Sequence, residues 1–390
     1  MFIGKVKSLL FALFCKLLPV KKNKIVFSSF VGKHYACNPR AIYEYLRDNY
    51  PGKFEFVWLF DFEKRPNIPD ELRKDAKCVS NGSLQSYIEK ATAGVWCFNH
   101  RNTYYYHKKK NQFYIQTWHG DIGFKGFDKT ERSTVNYEDP YIKKCIKDSS
   151  QTDIITVGSE QGYNYIKSAF FYNGEFLKKG CPRNDALFKD NPDMKKKILH
   201  RYDLPENTKI LLFAPTFRKG FTLKNTLNEN DSNYSFLRAA LSKRFGGEWE
   251  VFVKYHPACE DNHDDTTPDK SFVDVTYYGD MTDLIIASDA LITDYSSVSF
   301  DFCLTKKPCW LYTPDWEDYK SHDRNIVLNI DDIAFKMCGS HDELIKAIDE
   351  FDCEQYEADV DKMLKKFNSY ENGNACRILA QRILKECKIK

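Results

Sequence analysis

Residues 113–120 read FYIQTWHG, and this stretch decides the fold. A mainly apolar run of strand length stops at Thr117, and polar or small residues follow at once. The same change occurs at 210–218 (ILLFAPTFR), 251–257 (VFVKYHP) and 290–297 (ALITDYSS). In open α/β sheets, ligands bind beyond the carboxyl ends of parallel strands, where loops from several strands converge. The four stretches therefore predict a parallel sheet edge that binds a polar, anionic ligand.

Strand and helix patterns alternate on both sides of this stretch. In the first half the predicted strands are 25–30, 54–60, 94–98, 113–117 and 154–157, and the predicted helices are 41–48, 84–91, 140–147 and 161–170. A turn-rich stretch at 180–185 and a charged helix at 193–202 come next. The second half repeats the alternation with strands at 210–214, 250–255, 290–293 and 309–312, and with helices at 235–245, 281–287 and 297–303. Such alternation is typical of βαβ units.

The alternation predicts an α/β protein with two Rossmann-like halves and a cleft between them. We place the domains at 25–190 and 191–370, with a segment at 1–24 before them and a C-terminal helix at 371–390 that crosses back. A chain of 390 residues is long enough for two such domains.

Composition narrows the class of protein. The chain is 42% hydrophobic and 15% aromatic, which are values of a globular protein rather than a disordered one. A net charge of +3 is too small to indicate a nucleic-acid partner. Its thirteen cysteines include no Cys-x-x-Cys pair, so neither a zinc site nor a redox dithiol is indicated. We therefore expect free thiols in a reducing cytoplasm, no cofactor and no metal.

The first 24 residues differ from the rest of the chain. They carry six lysines and no acidic residue, and their apolar stretch at 8–15 is too short to span a bilayer. The apolar side chains recur at helical spacing, which predicts an amphipathic helix on an anionic membrane surface. An ordinary packed helix with a solvated lysine face is the alternative.

Two histidines lie at predicted strand ends. His119 stands between Trp118 and Gly120, and an imidazole there suits a general base because its ordinary pKa lies near neutrality. His256 precedes a proline, which favours an extended backbone, and Lys254 is predicted to face the same side. Structural roles for both histidines remain open at this point.

Hydroxyl and guanidinium groups follow the other strand ends. Ser296 and Ser297 open a predicted helix, where they would cap its first turn or bind a phosphate through the helix amides. Arg218 and Arg183 are suited to phosphate through their bidentate forks. Surface ion pairs are the alternative for both arginines.

Six segments in chain order resemble the CDP-glycerol glycerophosphotransferase family, which includes the teichoic-acid primases and polymerases. They are 27–33 with 38–43, 116–120, 180–185, 214–218, 256–257 and 288–297, and together they span most of the chain from Lys24 to about Ile330.

The resemblance implies a GT-B fold with an acceptor domain followed by a CDP-donor domain. It also implies transfer of a polyol phosphate, most readily glycerol phosphate, from a CDP-linked donor to an acceptor hydroxyl, with release of CMP. His119 would be the base and His256 would steady the donor pyrophosphate. The candidate substrate-binding residues are Trp118, Gly120, Arg183, Pro215, Thr216, Arg218, Lys254, Thr282, Ser296, Ser297 and Asp301.

The expected partners follow from the same resemblance. They are CDP-glycerol or CDP-ribitol, a lipid-linked acceptor and an anionic membrane surface, with the protein peripheral to the cytoplasmic face of the membrane. No DxD-type carboxylate pair follows a strand, in keeping with metal independence.

The chain departs from the family pattern at two places. Asp121-Ile122-Gly123 stands where the family usually has a Thr-Pro pair, and 321–324 is less acidic than usual. The loop at Asp121 borders the predicted reacting centre, so the choice of polyol and acceptor stays open. Two alternative functions also remain. One is a nucleotide-sugar glycosyltransferase of the same fold, and the other is a non-catalytic scaffold in polymer assembly.

Overall fold

The computed structural model describes residues 15, 17–64, 66–102, 107–131, 134–216, 234–255, 272–322 and 325–389. These residues form two compact units. The first contains residues up to Asp121, Phe127–Ala186 and Ser369–Lys390, and the second contains Ile122–Gly126 and Leu187–Asn368. The chain therefore contributes Ile122–Gly126 to the second unit and then returns to the first unit. After building the rest of the second unit, it returns to the first unit again with Ser369–Lys390.

A seven-stranded parallel sheet forms the centre of the first unit. Its strands are β1 (Lys21–Ser28), β2 (Glu55–Phe60), β3 (Lys77–Ser80), β4 (Ala93–Phe98), β5 (Phe113–Gln116), β6 (Ile154–Val157) and β7 (Glu175–Lys178). They lie in the order β3-β2-β1-β4-β5-β6-β7, so the order reverses between β1 and β4.

The first unit also contains helices. They span Cys37–Asn49, Asp70–Asp75, Leu84–Thr92, Pro140–Ser149, Glu160–Ala169 and, from the C-terminal segment, Ala375–Cys387. Side-chain oxygens of Ser83, Asp139 and Ser159 cap three of them by accepting amide hydrogens of the first turn.

The second unit repeats the design with a six-stranded parallel sheet. Its strands are β8 (Lys209–Ala214), β9 (Trp249–Val253), β10 (Val273–Asp274), β11 (Ala290–Thr293), β12 (Cys309–Tyr312) and β13 (Lys336–Cys338). The order β10-β9-β8-β11-β12-β13 reverses between β8 and β11. The helices span Pro192–Arg201, Ser235–Phe245, Met281–Ala287, Val298–Phe302, Trp316–His322, His341–Asp349 and Cys353–Lys366.

Both sheets are buried on their two faces. The central strands consist almost wholly of buried apolar residues, as in the fully buried β4 and β11. The C-terminal helix Ala375–Cys387 adds Leu379 and Ile383 to the core of the first unit. Burial on both sides explains why the central strands read as continuous apolar runs.

The α/β class with parallel sheets is confirmed. The strand bounds 154–157, 290–293 and 309–312 and the helix bounds 235–245 and 281–287 agree with the structure. Four strands escaped prediction, namely β3, β7, β10 and β13, and all four lie at sheet edges. An edge strand is less fully buried than a central one, so its sequence carries no apolar run.

The predicted boundary of the N-terminal segment at residue 24 is wrong. The structure begins β1 at Lys21, and Lys24 is buried, with Nζ 2.7 Å from Glu89 Oε2. Lys24 therefore does not face a membrane surface. Most of the predicted amphipathic helix lies outside the described residues. No described helix is both long and apolar enough to cross a membrane.

Candidate functional site

The site of the first unit lies where its strand order reverses. Asn99 follows β4, Ser29 follows β1, and the loop that carries His119 follows β5 beside them. The Asn99 side chain joins the first two loops, since Oδ1 accepts from Phe30 N–H at 2.8 Å and Nδ2 donates to Ser29 Oγ at 3.1 Å. Ligands of doubly wound sheets bind at such a reversal.

One hydrogen bond orients the imidazole of His119. Its Nδ1 lies 2.8 Å from the backbone carbonyl oxygen of Asn99. A carbonyl oxygen only accepts, so the proton of the neutral ring is on Nδ1 and Nε2 keeps its lone pair. The ring also contacts Trp118 and Phe30, with centroids 4.2 and 5.6 Å away. The free lone pair on Nε2 is what a general base needs, and the role of His119 as a base remains a prediction.

The surroundings keep His119 neutral. Surrounding protein displaces water from the ring and lowers its pKa below the ordinary value of 6.5, and the charges of Arg183 and Arg101 lower it further. The bond to Asn99 and the charge of Asp128 oppose part of this effect. The side chain nevertheless remains exposed to solvent. At neutral pH the ring is ready to accept a proton.

A buried ionic network lies beside this loop. Arg101 donates to Asp128 Oδ2 from Nε at 3.1 Å and to Asp148 Oδ2 from Nη1 at 3.2 Å, and all three side chains are almost fully buried. The guanidinium carbon lies 3.6 Å from the Phe170 ring centroid and 5.7 Å from that of Trp118. The network thus supports the aromatic side chains around His119.

Trp118 has a left-handed backbone, with φ of 49°. Its indole packs on Phe127 and Phe170, with ring centroids 5.2 and 5.0 Å away. These contacts account for Trp118 as a packing residue of the loop. Its predicted contact with substrate remains a prediction, as does that of the neighbouring Gly120.

Arg183 lies in the 3-10 turn Pro182–Phe188 that follows β7. Its side chain is buried, and its positive charge adds to the effect of desolvation in lowering the pKa of the His119 imidazole. The two residues were singled out separately from the sequence, and the structure brings them to the same edge of the first sheet.

Asp121 anchors the far side of the loop. Its carboxylate accepts from Gly158 N–H and from Ser159 Oγ, each at 2.6 Å. Ser159 in turn caps the helix Glu160–Ala169 by accepting from Gly162 N–H at 2.8 Å. The departure from the family pattern at Asp121 therefore fixes the loop to a helix N-terminus.

The second unit has a corresponding site between β8 and β11. The carboxylate of Asp294 accepts from Thr216 N–H at 3.0 and 3.1 Å, which ties together the loops that follow these two strands. Thr216 Oγ1 is buried, and among the described residues it has no hydrogen-bond partner. Pro215 is buried beside it.

The structure revises the prediction for Lys254. The side chain is buried, and Nζ donates to the carbonyl oxygens of Val275, Thr276 and Tyr278 at 3.3, 2.9 and 2.7 Å. An ammonium group has three hydrogens, and these carbonyls occupy them. Lys254 therefore organises the turn after β10, and a phosphate contact is not supported.

Of the two serines, only Ser296 shows the predicted alternative of capping the helix. Ser296 Oγ accepts from Val298 N–H at 3.3 Å, whereas Ser297 makes no side-chain cap. Both serines and Asp301 are partly exposed, and Thr282 is buried in the helix Met281–Ala287. Their predicted contacts with the donor remain predictions.

His256 and Arg218 lie outside the described residues. Among the residues with described positions, no group of three His, Cys, Asp or Glu side chains is arranged to hold a metal ion. Sequence reasoning gave no role to Asn99 or Asp294. A role for Asp294 could have been predicted, because it directly follows a strand in one of the four quoted stretches. Nothing in the sequence indicates that the backbone oxygen of Asn99 is a partner of His119.

Comparison with known proteins identifies the family. A model of CDP-Glycerol:Poly(glycerophosphate) glycerophosphotransferase matches residues 10–385. The chain is 29% identical over 383 residues to the teichoic acid poly(glycerol phosphate) polymerase of Staphylococcus epidermidis, covering 95% of this chain and 51% of that protein. It is 32% identical over 275 residues to the teichoic acid glycerol-phosphate primase of Bacillus subtilis, covering 70% and 68%.

A solved structure of the wall teichoic acid polymerase TagF resembles this one. The TM-score is 0.83 at 28% sequence identity, and the match covers 99% of this chain and 95% of that chain. The predicted GT-B-like class is thereby confirmed. The chain spans about half the length of the first curated relatives that it matches, 51% and 49%.

Proposed function

Because the chain belongs to the CDP-glycerol:poly(glycerophosphate) glycerophosphotransferase family, we propose that it transfers glycerol phosphate from CDP-glycerol to an acceptor hydroxyl and releases CMP. His119 is the general base. The observation that carries this role is the hydrogen bond from Nδ1 to the Asn99 carbonyl, which leaves the lone pair on Nε2 for the acceptor proton.

The reaction is an in-line displacement at phosphorus. The acceptor oxygen attacks the phosphorus atom that carries glycerol, and its proton passes to Nε2 of His119. The bond between this phosphorus and the oxygen of CMP breaks, and its electron pair leaves with CMP. The imidazolium then returns its proton to solvent. Positioning and charge stabilisation supply most of the rate in such transfers, and a base adds about 10²–10⁴-fold.

We assign the CDP group to the carboxyl edge of the second sheet. Thr216 offers a buried hydroxyl without a partner among the described residues, and Asp294 holds its backbone in place. An unsatisfied buried donor is costly, and a phosphate oxygen would satisfy it. Ser296, Ser297, Arg218 and His256 complete the proposed donor site on the strength of the sequence.

The acceptor and its location extend the proposal. We propose a lipid-linked or surface-polymer acceptor and peripheral binding to an anionic membrane surface on the cytoplasmic side. The support is chemical, since residues 1–22, which leave out the buried Lys24, carry five lysines and no acid.

The test is a mass-resolved product assay with a lipid disaccharide acceptor and four donors, CDP-glycerol, CDP-ribitol, a UDP-sugar and a GDP-sugar. We expect CMP release and a mass gain of glycerol phosphate. His119→Ala should lower the rate by about 10²–10⁴-fold because the base is gone. His200→Ala, at an exposed position in the second unit, is the matched control and should keep the wild-type rate.

The other outcomes identify the alternatives. Release of UDP or GDP with transfer of a sugar would make the protein a glycosyltransferase. Binding of CDP-glycerol without turnover would favour the scaffold. A near-normal rate for His119→Ala would reject the assigned base.

A further inference from the structure

Asn38 is a fully buried amide at the carboxyl edge of the first sheet. It is the second residue of the helix Cys37–Asn49 and follows Cys37, whose φ of 63° is left-handed. The residue gained no role from the family resemblance beyond its place in a motif. Buried side-chain amides almost always form hydrogen bonds, so the partners of Asn38 indicate what its side chain stabilises.

Three hydrogen bonds fix the Asn38 side chain. Nδ2 donates to the carbonyl oxygens of Thr117 and Trp118, at 3.2 Å each. Oδ1 accepts from Arg183 N–H at 2.9 Å. The partners leave no choice in the orientation of the amide, because carbonyl oxygens only accept and a backbone N–H only donates.

These bonds connect loops that no strand pairing connects. Thr117 and Trp118 directly precede His119 in the loop after β5, and Arg183 lies in the turn after β7. In the sheet, β6 separates β5 from β7, and β4 separates β1 from β5. Strand pairing therefore gives no direct hydrogen bond among these three loops, and the Asn38 side chain supplies direct bonds between them.

The loop that Asn38 holds needs such support. Trp118 adopts a left-handed conformation, with φ of 49°, which is unfavourable for a residue other than glycine. The donated bonds fall on the carbonyls just before and just after the Trp118 backbone torsions, so they hold the loop in this conformation. The direction of the His119 side chain depends on those torsions.

We propose that Asn38 is a positioning residue that holds His119 and Arg183 in one fixed arrangement for the transfer step. This inference rests on the proposed function, since it takes His119 as the base. Asn38 touches neither substrate in this role. Its loss should lower kcat by a larger factor than it raises the Michaelis constant for CDP-glycerol, because all of the proposed donor residues except Arg183 lie in the second unit.

Asn38→Asp tests the proposal with a minimal change. The variant keeps Oδ1 for Arg183 but turns an oxygen toward two carbonyl oxygens, which an ionised carboxylate repels. A misplaced catalytic group costs on the order of 10²-fold, and we expect this loss of kcat at pH 8. Protonation of the new carboxyl restores a donor, so the ratio of variant to wild-type kcat should rise as the pH is lowered.

Two further variants make the result specific. Asn38→Ser keeps a hydroxyl group that can donate and accept a hydrogen bond. Its kcat should lie between those of the wild type and Asn38→Ala. This variant tests the proposal if Asn38→Asp does not fold. Asn191→Asp is the matched control, because Asn191 caps the helix Pro192–Arg201 through an oxygen that aspartate also provides. The control should keep the wild-type kcat and show no recovery at low pH.

A second readout separates this inference from the proposed function. In protein labelled with ¹⁵N-histidine, the His119 signals are assigned with His119→Gln, and the wild type should show a proton fixed on Nδ1. The Asn38 variants should change these signals even if no donor is turned over. Unchanged signals and a wild-type kcat in folded Asn38→Asp would overturn the role of Asn38. An inactive wild type with fixed Nδ1 protonation that the Asn38 variants disturb would overturn the proposed function alone.

Discussion

At the scale of the residue, the chemistry of His119 depends on charges that lie outside its own loop. Arg183 is 64 positions away in the sequence, and its charge lowers the pKa of the His119 imidazole. The protonated form of the ring is disfavoured beside a second cation. The pH dependence of the reaction should therefore report on Arg183 as well as on the base.

We expect kcat/KM of the wild type to fall as the pH drops through a value below 6.5, because protonation of His119 removes the base. Arg183→Gln removes a positive charge, which favours the imidazolium and raises the pKa of His119. The acid limb should therefore move to higher pH in this variant. The measurement is the pH profile of kcat/KM for CDP-glycerol.

Arg201→Gln provides the control for this profile, since Arg201 is exposed in the second unit. Its acid limb should coincide with that of the wild type. An acid limb of Arg183→Gln that stayed in place or moved to lower pH would contradict the electrostatic effect of Arg183.

Single residues also mark the limit of sequence reasoning. The position of His119 directly after an apolar strand run is enough to select it, because ligands bind beyond the carboxyl ends of parallel strands. Lys254 was selected by alternation with His256, but β9 ends at Val253 and the side chain turns to three carbonyls instead. The Asn38 side chain bonds backbone atoms of distant loops, and Asn99 bonds His119 through its own backbone oxygen. No sequence pattern indicates such partners.

At the scale of the element, the loop after β5 and the helix Glu160–Ala169 depend on each other through Asp121. The carboxylate lies so close to the helix that a Cβ at Gly162 would be 2.1 Å from Asp121 Oδ1. The glycine is therefore required by close approach, although it lies in a helix. Burial also decides which strands the sequence predicts. Central strands have neighbours on both sides and consist of apolar runs, whereas the edge strands lack such runs.

Gly162→Ala tests this close approach by the sign of its effect. In an ordinary helix the change stabilises by up to about 1 kcal/mol. Here we expect destabilisation on the order of 1–3 kcal/mol, because the new methyl group overlaps the Asp121 carboxylate. Urea unfolding of the variant measures the effect.

A double-mutant cycle with Asp121→Ala supplies the control. In that background the three atoms nearest to the new methyl group are gone, so we expect Gly162→Ala to become neutral or stabilising. Equal effects of Gly162→Ala in both backgrounds would show that Asp121 is not the cause.

At the scale of the whole molecule, the first unit is assembled from distant parts of the chain. Ser369–Lys390 belongs to it, although Leu187–Asn368 builds the second unit in between. The helix Ala375–Cys387 is held by Asp185, whose carboxylate accepts from Ala375 N–H at 2.9 Å and from Cys376 N–H at 2.7 Å. The helical pattern of this tail was evident in the sequence, but its docking depends on contacts that only the folded chain reveals.

Ile383→Ala should destabilise the first unit selectively. The side chain is fully buried in the core of that unit, and its loss costs about 2–5 kcal/mol. Hydrogen exchange should become faster in β1 and β4, against which the helix packs, and stay unchanged in β8 and β11.

Ile348→Ala is the counterpart in the second unit, where the residue is equally buried. Its effect on exchange should be the reverse, with faster exchange in the second sheet alone. Equal loss of protection in both sheets for either variant would argue against two separate cores.

The return of Ser369–Lys390 to the first unit also sets an order for folding during synthesis. Nascent domains usually fold in the order in which they leave the ribosome. Here the first sheet has all of its strands by Lys178 but lacks the helix Ala375–Cys387 until the end of synthesis, whereas the second unit is complete at Asn368. We expect ribosome-stalled chains ending near residue 368 to protect the second sheet from protease and to leave the first sheet open to chaperones.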